Sequence, residues 1–252
     1  MVMQMQARNL FLATAPVAVL LLGWHWLTFA GKVPPSLLPS PSAVFGATIE
    51  SLANPFFLND LRITLFRLLS GFGIAVVVGV GLALIGASNR YVGTVLRSTV
   101  RLLAPIPKIA LYPALILIFG FDNTSKIILV AIDAVFPILL ATYQGILRVE
   151  PKLIWSARAM GEPPLRCLVT VALPAALPSI LTGCRVGLII SCIVVFLAEM
   201  ISSTDGLGHV LIYAARNFDT VNMFVPIILI SMLGLMLNLL FNMLRRRLLA
   251  GH

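Results

Sequence analysis

The amino-acid sequence predicts an all-α protein that crosses a membrane several times, and three observations lead to this class. Hydrophobic residues make up 60% of the 252 residues and charged residues only 11%, which is outside the usual range of soluble domains. Six apolar runs reach the length of about 20 residues that a membrane-spanning helix needs. The alternating pattern of an outer-membrane barrel is absent from the sequence, and backbone groups in lipid must be bonded within their own segment, so the runs are expected to be helices.

Charged residues and prolines bound these runs and set the expected helix ends. The predicted spans, which together form one transmembrane domain over residues 1–252, are 10–30, 66–88, 102–120, 126–147, 179–201 and 223–244. The first run follows Arg8 and ends in Thr-Phe-Ala, as a signal peptide does. It is longer than the apolar region of about 7–15 residues found in signal peptides, so we expect a retained helix.

The basic residues are distributed unevenly between the two sides of the predicted bundle. With a cytoplasmic N-terminus, the cytoplasmic side carries Arg8, Arg90, Arg97, Arg101, Arg148, Lys152, Arg158, Arg166, Arg245, Arg246 and Arg247. The other side carries only Lys32, Arg62, Lys126 and Arg216. The positive-inside rule therefore predicts that both termini are cytoplasmic. A basic cytoplasmic rim also accounts for the net charge of +9, so we expect contact with membrane lipid and no nucleic-acid partner.

The first predicted helix is followed by a proline-rich connection over residues 31–44, which prolines keep from being helical. Ser42 is the expected N-cap of a short surface helix over 43–53.

The second predicted helix carries small residues at every fourth position, namely Gly71, Ala75, Gly79, Ala83 and Ala87. Because small residues let helix backbones approach closely in lipid, this helix is expected to lie inside the bundle.

The third span contains Pro105, Pro107 and Pro113 together with Lys108. Prolines at this density break or kink a helix, and a broken helix at membrane depth is tolerated where it lines a cavity or is covered by protein. We therefore expect this span to line a path through the membrane. Lys108 has a simpler interpretation, in which its long side chain extends to the cytoplasmic interface.

Ionisable side chains inside the apolar runs are the candidates for a translocation path, because each costs about 2.5–3.5 kcal/mol at the centre of a membrane helix and is expected to face the bundle interior. With Lys108 included, these candidates are Arg67, Lys108, Asp133, Arg185 and Glu199. A purely structural role is equally compatible with the sequence, for example ion pairs of Arg185 with Glu199 or Asp133. The three cysteines and three histidines show no metal-binding or disulfide spacing, so no metal site is expected.

The loop over residues 148–178 is the longest predicted connection on the cytoplasmic side. Leu153, Ala157 and Met160 recur at helical spacing, which predicts a short amphipathic helix over 151–161 that ends at Gly161. Pro164 is expected at the first position of a second short helix that stops before Leu173-Pro174. Two short helices with an exposed apolar face would need a partner surface.

The loop resembles the EAA loop of ATP-binding-cassette (ABC) importer permeases, in which Glu-Ala-Ala is followed after three residues by Gly and after nine more by Ile-x-Leu-Pro. Ala157 stands at the second Ala and Gly161 at the Gly, while Trp155 and Ser156 depart from the pattern. The spacing is complete up to Pro174. The residues that the resemblance assigns to contact with the ATPase are Trp155, Ser156, Ala157, Met160, Gly161, Val171, Leu173 and Pro174.

Further segments resemble the branch of this family that serves nitrate, taurine, alkanesulfonate and related small anions. They include LPSPSAVF at 38–45, RLLSGFGIAVVVGVGLALIG at 67–86, IPKIALYPALILIFG at 106–120 and LPAALPSILTGCRVGL at 173–188. The resemblance implies a type I importer fold in the bacterial inner membrane. It also implies three partners: a second permease copy, a dimer of ATPase subunits and an extracytoplasmic binding protein.

The resemblance further implies that ATP and Mg²⁺ bind to the partner ATPase and that this chain holds no cofactor and is not an enzyme. The sequence agrees, because it lacks the phosphate-binding pattern G-x-x-x-x-G-K-[ST]. The alternative is a secondary transporter or channel that works without an ATPase. That class would explain the buried charges but would leave the spacing over residues 155–174 unexplained, and it predicts inverted repeats that the sequence does not show.

Overall fold

A computed structural model describes residues 2–249, with side chains from residue 15 onward, and every regular element in this part of the chain is helical. The helices are α1 (Val2–Phe29), α2 (Pro41–Ala53), α3 (Pro55–Ser88), α4 (Arg90–Leu103), α5 (Tyr112–Phe119), α6 (Asn123–Leu147), α7 (Pro151–Ala159), α8 (Pro164–Cys167), α9 (Leu173–Ala175), α10 (Leu177–Ser202), α11 (Leu207–Arg216) and α12 (Thr220–Leu249). The predicted all-α class is confirmed. The side chains of Arg8 and His252 are outside the part of the chain that the structure describes.

Four helices of the described chain, α3, α6, α10 and α12, are long and apolar enough to cross a membrane. A fifth crossing results if α4 and the segment Lys108–Phe119 count as one broken span. In α1 the described apolar part, Ala15–Phe29, is shorter than a full crossing. The count of six crossings therefore stays a prediction.

The third predicted span, 102–120, is broken, as its prolines predict. The helix α4 ends at Leu103, and the chain resumes as a 3₁₀ turn, Lys108–Leu111, that leads into α5 at an angle of 84° to α4. The prolines between the two segments explain the break, because proline lacks the N–H that a continuous helix requires. The basic stretch before the span is also helical, since the side chain of Asn89 caps α4 by accepting from the Tyr91 N–H at 2.8 Å.

The long helices divide between two compact units of the chain. One unit comprises Met1–Asn59 with Val210–Leu229, and in it the rings of Trp24 and Phe224 stack at 5.6 Å. The predicted cap of the surface helix is wrong by two residues: Ser40, rather than Ser42, caps α2, because Pro41 occupies the first helical position and suits it. The other unit comprises Asp60–His209 with Ile230–His252 and contains all the predicted site residues.

Close packing of α3 against α6 confirms the small-residue face of the second predicted helix. A Cβ atom added at Gly71 would lie 2.6 Å from Val130 Cγ1, and one at Gly79 would lie 3.0 Å from Ile138 Cγ2. On the other side of Ile138, a Cβ atom at Gly187 of α10 would lie 2.9 Å from Ile138 Cδ1. The side chain of Ile138 is therefore held between glycines of two helices, and α3, α6 and α10 form the centre of the second unit.

Replacing Gly79 with leucine is expected to destabilise this unit by about 1–3 kcal/mol, because the added side chain has no space beside Ile138. Gly73→Leu on the same helix is the matched control, since nothing lies within 4 Å of a Cβ atom at Gly73. Thermal unfolding in detergent should show a lower midpoint for Gly79→Leu alone. Equal midpoints for the two variants would contradict the packing role of Gly79.

Candidate functional site

The first cluster of predicted site residues is centred on Arg67, which is 1% exposed although it lies in the apolar helix α3. Its Nη1 atom is 2.8 Å from Oε1 of Glu199 in α10, and its Nη2 atom donates to the carboxylate of Asp205. Its Nε atom donates to Oδ1 of Asn123, the first residue of α6, at 2.7 Å. The guanidinium therefore joins α3 to the start of α6 and to the end of α10.

The Glu199 carboxylate, fully enclosed, has further donors besides Arg67. Thr64 Oγ1 donates to Glu199 Oε2 at 2.9 Å, and the N–H of Gly208 donates to the same oxygen at 3.1 Å. The Thr64 hydroxyl in turn accepts from the Leu207 N–H at 2.9 Å. Since a buried charge costs several kcal/mol unless it is paired and hydrogen-bonded, this set of partners is what makes Glu199 acceptable inside the helix.

The turn between α10 and α11 closes over this network. Gly206 has φ +94°, and a Cβ atom at this position would lie 2.6 Å from Glu199 Oε2, so both the backbone conformation and the contact require glycine. The N–H of Gly206 donates to Oδ1 of Asp60 at 2.7 Å. Partial burial raises the pKa of Asp205, but the hydrogen bond and positive charge of Arg67 outweigh burial and leave that pKa below its ordinary value.

The second pair of predicted site residues is Lys108 and Asp133, whose Nζ and Oδ1 atoms are 3.3 Å apart. The Lys108 side chain is only 8% exposed, and its Nζ atom also lies 4.5 Å from the centre of the Phe136 ring and donates to the Ala104 carbonyl. The interpretation that Lys108 extends to the membrane interface is therefore wrong, because a carboxylate and free carbonyls of the broken helix hold it inside.

The Lys108–Asp133 pair lies in the wall of a cavity of about 340 Å³ between the break after α4 and the middle of α10. Asp133 is ten residues into α6, so it lies about 15 Å from the start of that helix. This distance is half the thickness of a hydrocarbon core of about 30 Å. The structure thus holds one cation and one anion together in a cavity beside the middle of α6.

Arg185 is separate from both pairs. Its Nε atom donates to Oδ1 of Asn238 in α12 at 2.9 Å, and within the described chain it has no carboxylate partner. The ion pairs considered from the sequence, Arg185 with Glu199 or with Asp133, do not form, because Arg67 and Lys108 already occupy those carboxylates.

The loop between α6 and α10 forms the two short helices that the sequence predicts, and the first ends at a glycine. After α7, Gly161 has φ +86°, its N–H donates to the Arg158 carbonyl at 3.0 Å, and the Glu162 N–H donates to the Ala157 carbonyl at 3.2 Å. These two bonds form a Schellman motif, in which glycine is the favoured residue. The predicted end of the helix at Gly161 is confirmed.

The second short helix begins as expected with Pro164 at its first position, but it does not stop before Leu173-Pro174. A π-helical turn, Leu168–Ala172, follows α8 and leads into α9. Pro174 cannot donate to the carbonyl four residues earlier and its ring would collide with it, so the wider π turn just before it is the local way of accommodating the proline. Only the single residue Ala176 then separates α9 from α10.

The predicted contact residues of this loop divide into an exposed and an internal group. Trp155 and Met160 are 66% and 79% exposed, and Leu165, which the sequence analysis did not single out, is 69% exposed. Ala157 is buried, and Leu173 packs on the core between α6 and α10. Of the other predicted contact residues, Ser156 and Pro174 are exposed and Val171 is half-buried.

Several residues of the Arg67 network were not predicted from the sequence. Thr64 lies one helical turn before Arg67, so it could have been found by its position on the same face of α3. Asn123 and Asp205 carry no such signal, because Asn123 begins α6 and Asp205 lies in a turn, and only the fold brings them to Arg67.

Long apolar helices, charge pairs enclosed between them and a helical loop with exposed apolar side chains define a polytopic membrane protein with the features of a permease. The family described as "Binding-protein-dependent transport system inner membrane component" matches residues 52–250, and the chain belongs to this family. It is a permease component of an ABC importer, and the family implies partner subunits with ATPase and substrate-binding roles.

Curated relatives agree with this assignment. The chain is 33% identical to the "Putative aliphatic sulfonates transport permease protein SsuC" of Escherichia coli (strain K12), over 94% of this chain and 88% of the relative. It is 29% identical to the "Taurine transport system permease protein TauC" of the same organism, over 98% and 91%. It is 31% identical to a probable ABC transporter permease of Brucella melitensis, over 90% and 91%.

Solved structures support the fold. The chain is similar to a permease chain of the MetNI methionine ABC transporter in an inward-facing conformation, with a TM-score of 0.68 and 18% identity over 77% of this chain and 96% of that one. It is also similar to a chain of an amino acid ABC transporter solved with histidines, with a TM-score of 0.58 and 20% identity over 76% and 91%. The predicted type I importer permease fold is therefore confirmed.

Arg67→Met is expected to destabilise the protein by about 3–5 kcal/mol, because it leaves the Glu199 carboxylate buried without its cation. Adding Glu199→Gln to this variant should recover part of the loss, since the unpaired charge is then gone. Arg62→Met, an exposed arginine of the same helix, is the control and should behave as the parent. Thermal unfolding in detergent measures all three variants, and a double variant no more stable than Arg67→Met would contradict the charge argument.

Proposed function

We propose that the chain forms the translocation path for a small organic or inorganic anion, such as a sulfonate, taurine or nitrate, and couples it to a separate ATPase through residues 151–174. The observation that carries the proposal is the helical loop with its exposed Trp155, Met160 and Leu165, in a chain of this family. The anion class is supported by the sulfonate and taurine permeases among its relatives.

The loop is suited to docking because its shape is fixed before a partner arrives. The Schellman motif at Gly161 sets the angle between α7 and α8, and the i,i+4 pair of Arg166 with Glu162 at 3.2 Å supports the start of α8. Large exposed apolar side chains on a rigid support are typical of a protein-binding surface. The ATPase dimer would cover them and would bind ATP and Mg²⁺, so this chain would need neither a cofactor nor enzymatic activity.

A movement of the loop would be transmitted to the membrane helices. Ile154 of α7 packs against the core cluster that includes Ile146 of α6 and Ile180 of α10. The chain is also almost entirely helical from Pro164 to Ser202. Nucleotide-driven closure of the ATPase would therefore displace α6 and α10 together, and moving the permease from 1:99 to 99:1 between two states requires about 5.5 kcal/mol of differential binding energy.

The anion would pass the cavity in which Lys108 and Asp133 face each other near mid-membrane. A passing anion could take the place of the Asp133 carboxylate beside Lys108, and the nearby Phe136 ring would keep water away. A second copy of the chain would complete the path, and a binding protein would deliver the anion from outside. In this arrangement the chain lies in the bacterial inner membrane with both termini in the cytoplasm, as the basic residues predict.

The complex itself provides the first test. The chain should co-purify in detergent with the ATPase encoded beside it, and ATP hydrolysis should rise with one binding protein loaded with its anion. Gly161→Arg should abolish co-purification, because the large charged side chain distorts the turn, whereas Gly161→Asn should retain it, since asparagine tolerates a positive φ. Solute transport by the chain alone in liposomes, with no ATPase bound, would instead support a secondary transporter.

Lys108→Met is expected to reduce anion uptake by the complex at least tenfold, because Asp133 would then present an unpaired negative charge to the anion. Lys108→Arg keeps the charge and should keep most of the uptake. The double variant Lys108→Met with Asp133→Leu removes the unpaired charge and should assemble normally without recovering uptake. Uptake by the double variant at the parent rate would show that Lys108 has only a structural role.

A further inference from the structure

Two adjoining spaces lie along the helices α10 and α12. The first, the apolar groove, has a volume of about 420 Å³ and is lined by Leu188, Cys192, Phe196, Ile230, Gly234 and Leu235. The second, the basic cavity, has a volume of about 680 Å³ and is lined by Arg185, Leu239, Asn242, Met243, Arg245 and Arg246.

The two spaces meet at one residue pair. Asn238 lines the apolar groove, and its Oδ1 atom accepts the hydrogen bond from Arg185, which lines the basic cavity. Both spaces lie along the same two helices, and together they are called the channel, which is apolar along one stretch and strongly basic along the next. A ligand that fits this channel must be amphiphilic.

The charge of the basic cavity is not balanced by the protein. Within the described chain, none of its three arginines has a carboxylate in ion-pair distance, whereas the enclosed cations Arg67 and Lys108 both do. Arg185 lies eight residues into α10, so its Cα atom is about 12 Å from the start of that helix. An unpaired charge at this depth is costly, and an anion bound beside it would remove the cost.

The dimensions agree with one leaflet of a bilayer. The groove extends along α12 from Ile230 to Asn238, which is about 12 Å, and half of a hydrocarbon core is about 15 Å. Arg245 and Arg246 lie beyond Asn238, near the end of α12. A lipid in that leaflet has its chains and its headgroup in this same order.

We propose that this channel binds an anionic phospholipid, with the phosphate-bearing headgroup among Arg185, Arg245 and Arg246 and one acyl chain in the apolar groove. Guanidinium groups bind phosphate through paired hydrogen bonds, and the three arginines favour a headgroup with net negative charge over a zwitterionic one. The proposal requires that α10 and α12 cross the membrane and does not depend on which anion is transported or on ATPase coupling.

Native mass spectrometry of the full-length chain in detergent tests the headgroup preference. With phosphatidylglycerol and phosphatidylcholine added together, we expect preferential retention of phosphatidylglycerol. Replacing one arginine of the basic cavity with glutamine should reduce this preference by about fivefold, and each further replacement should reduce it by about the same factor. Arg90→Gln with Arg101→Gln, which removes two exposed arginines of α4, is the matched control and should keep the preference. Equal retention of the two lipids by the parent chain would overturn the proposal.

Photo-crosslinking of the unmodified chain locates the lipid without relying on variants. Phosphatidylglycerol with a diazirine on its acyl chain should label residues of the apolar groove, and excess phosphatidylcholine or a short soluble alkanesulfonate should not prevent the labelling. The proposal would be overturned if only residues outside the groove were labelled. It would also be overturned if the sulfonate abolished the labelling, and that result would assign the cavity to the transported anion. A disulfide formed between two copies of the Leu235→Cys variant, in place of lipid labelling, would show that a second chain covers the groove.

Discussion

The buried ion pair between Arg67 and Glu199 is the interaction on which the arrangement of the long helices depends. It joins α3 to α10, and the same guanidinium reaches Asn123 at the start of α6 and Asp205 in the turn after α10. Each of these charges alone would cost several kcal/mol inside an apolar bundle, so the network is stable only when all of its members are in place. It therefore specifies one relative position of the three helices rather than simply adding stability.

Further along the same helices, close packing rather than polar bonding holds the helices together. Gly79 and Gly187 enclose Ile138 so closely that α3, α6 and α10 have little freedom to slide past one another. Together with the ion-pair network, this contact makes the three helices one stiff body. The loop over residues 151–174 is joined to that body through Ile154 and through the almost unbroken helix from Pro164.

The cations enclosed by the long helices differ in their partners. Arg67 is held by the carboxylates of Glu199 and Asp205 and by the Asn123 side chain, whereas Lys108 faces the single carboxylate of Asp133 in the wall of a cavity. Within the described chain, Arg185 is bonded to the neutral amide of Asn238 and has no carboxylate partner. Partner chemistry therefore distinguishes the three cations and is the basis for the different roles proposed for them above.

The sequence by itself determined the all-α class, the small-residue face of α3, the break in the third span and the position of Gly161, because each follows from local rules of length, helical period and backbone conformation. The spacing from Ala157 to Pro174 also indicated the family. Only the tertiary structure decided which charges pair, because Arg67 and Glu199 are 132 residues apart and Asp205 lies in a turn without a distinguishing pattern. The burial of Lys108 was likewise decided by surrounding helices, since local sequence specifies which residues are polar but not what surrounds them.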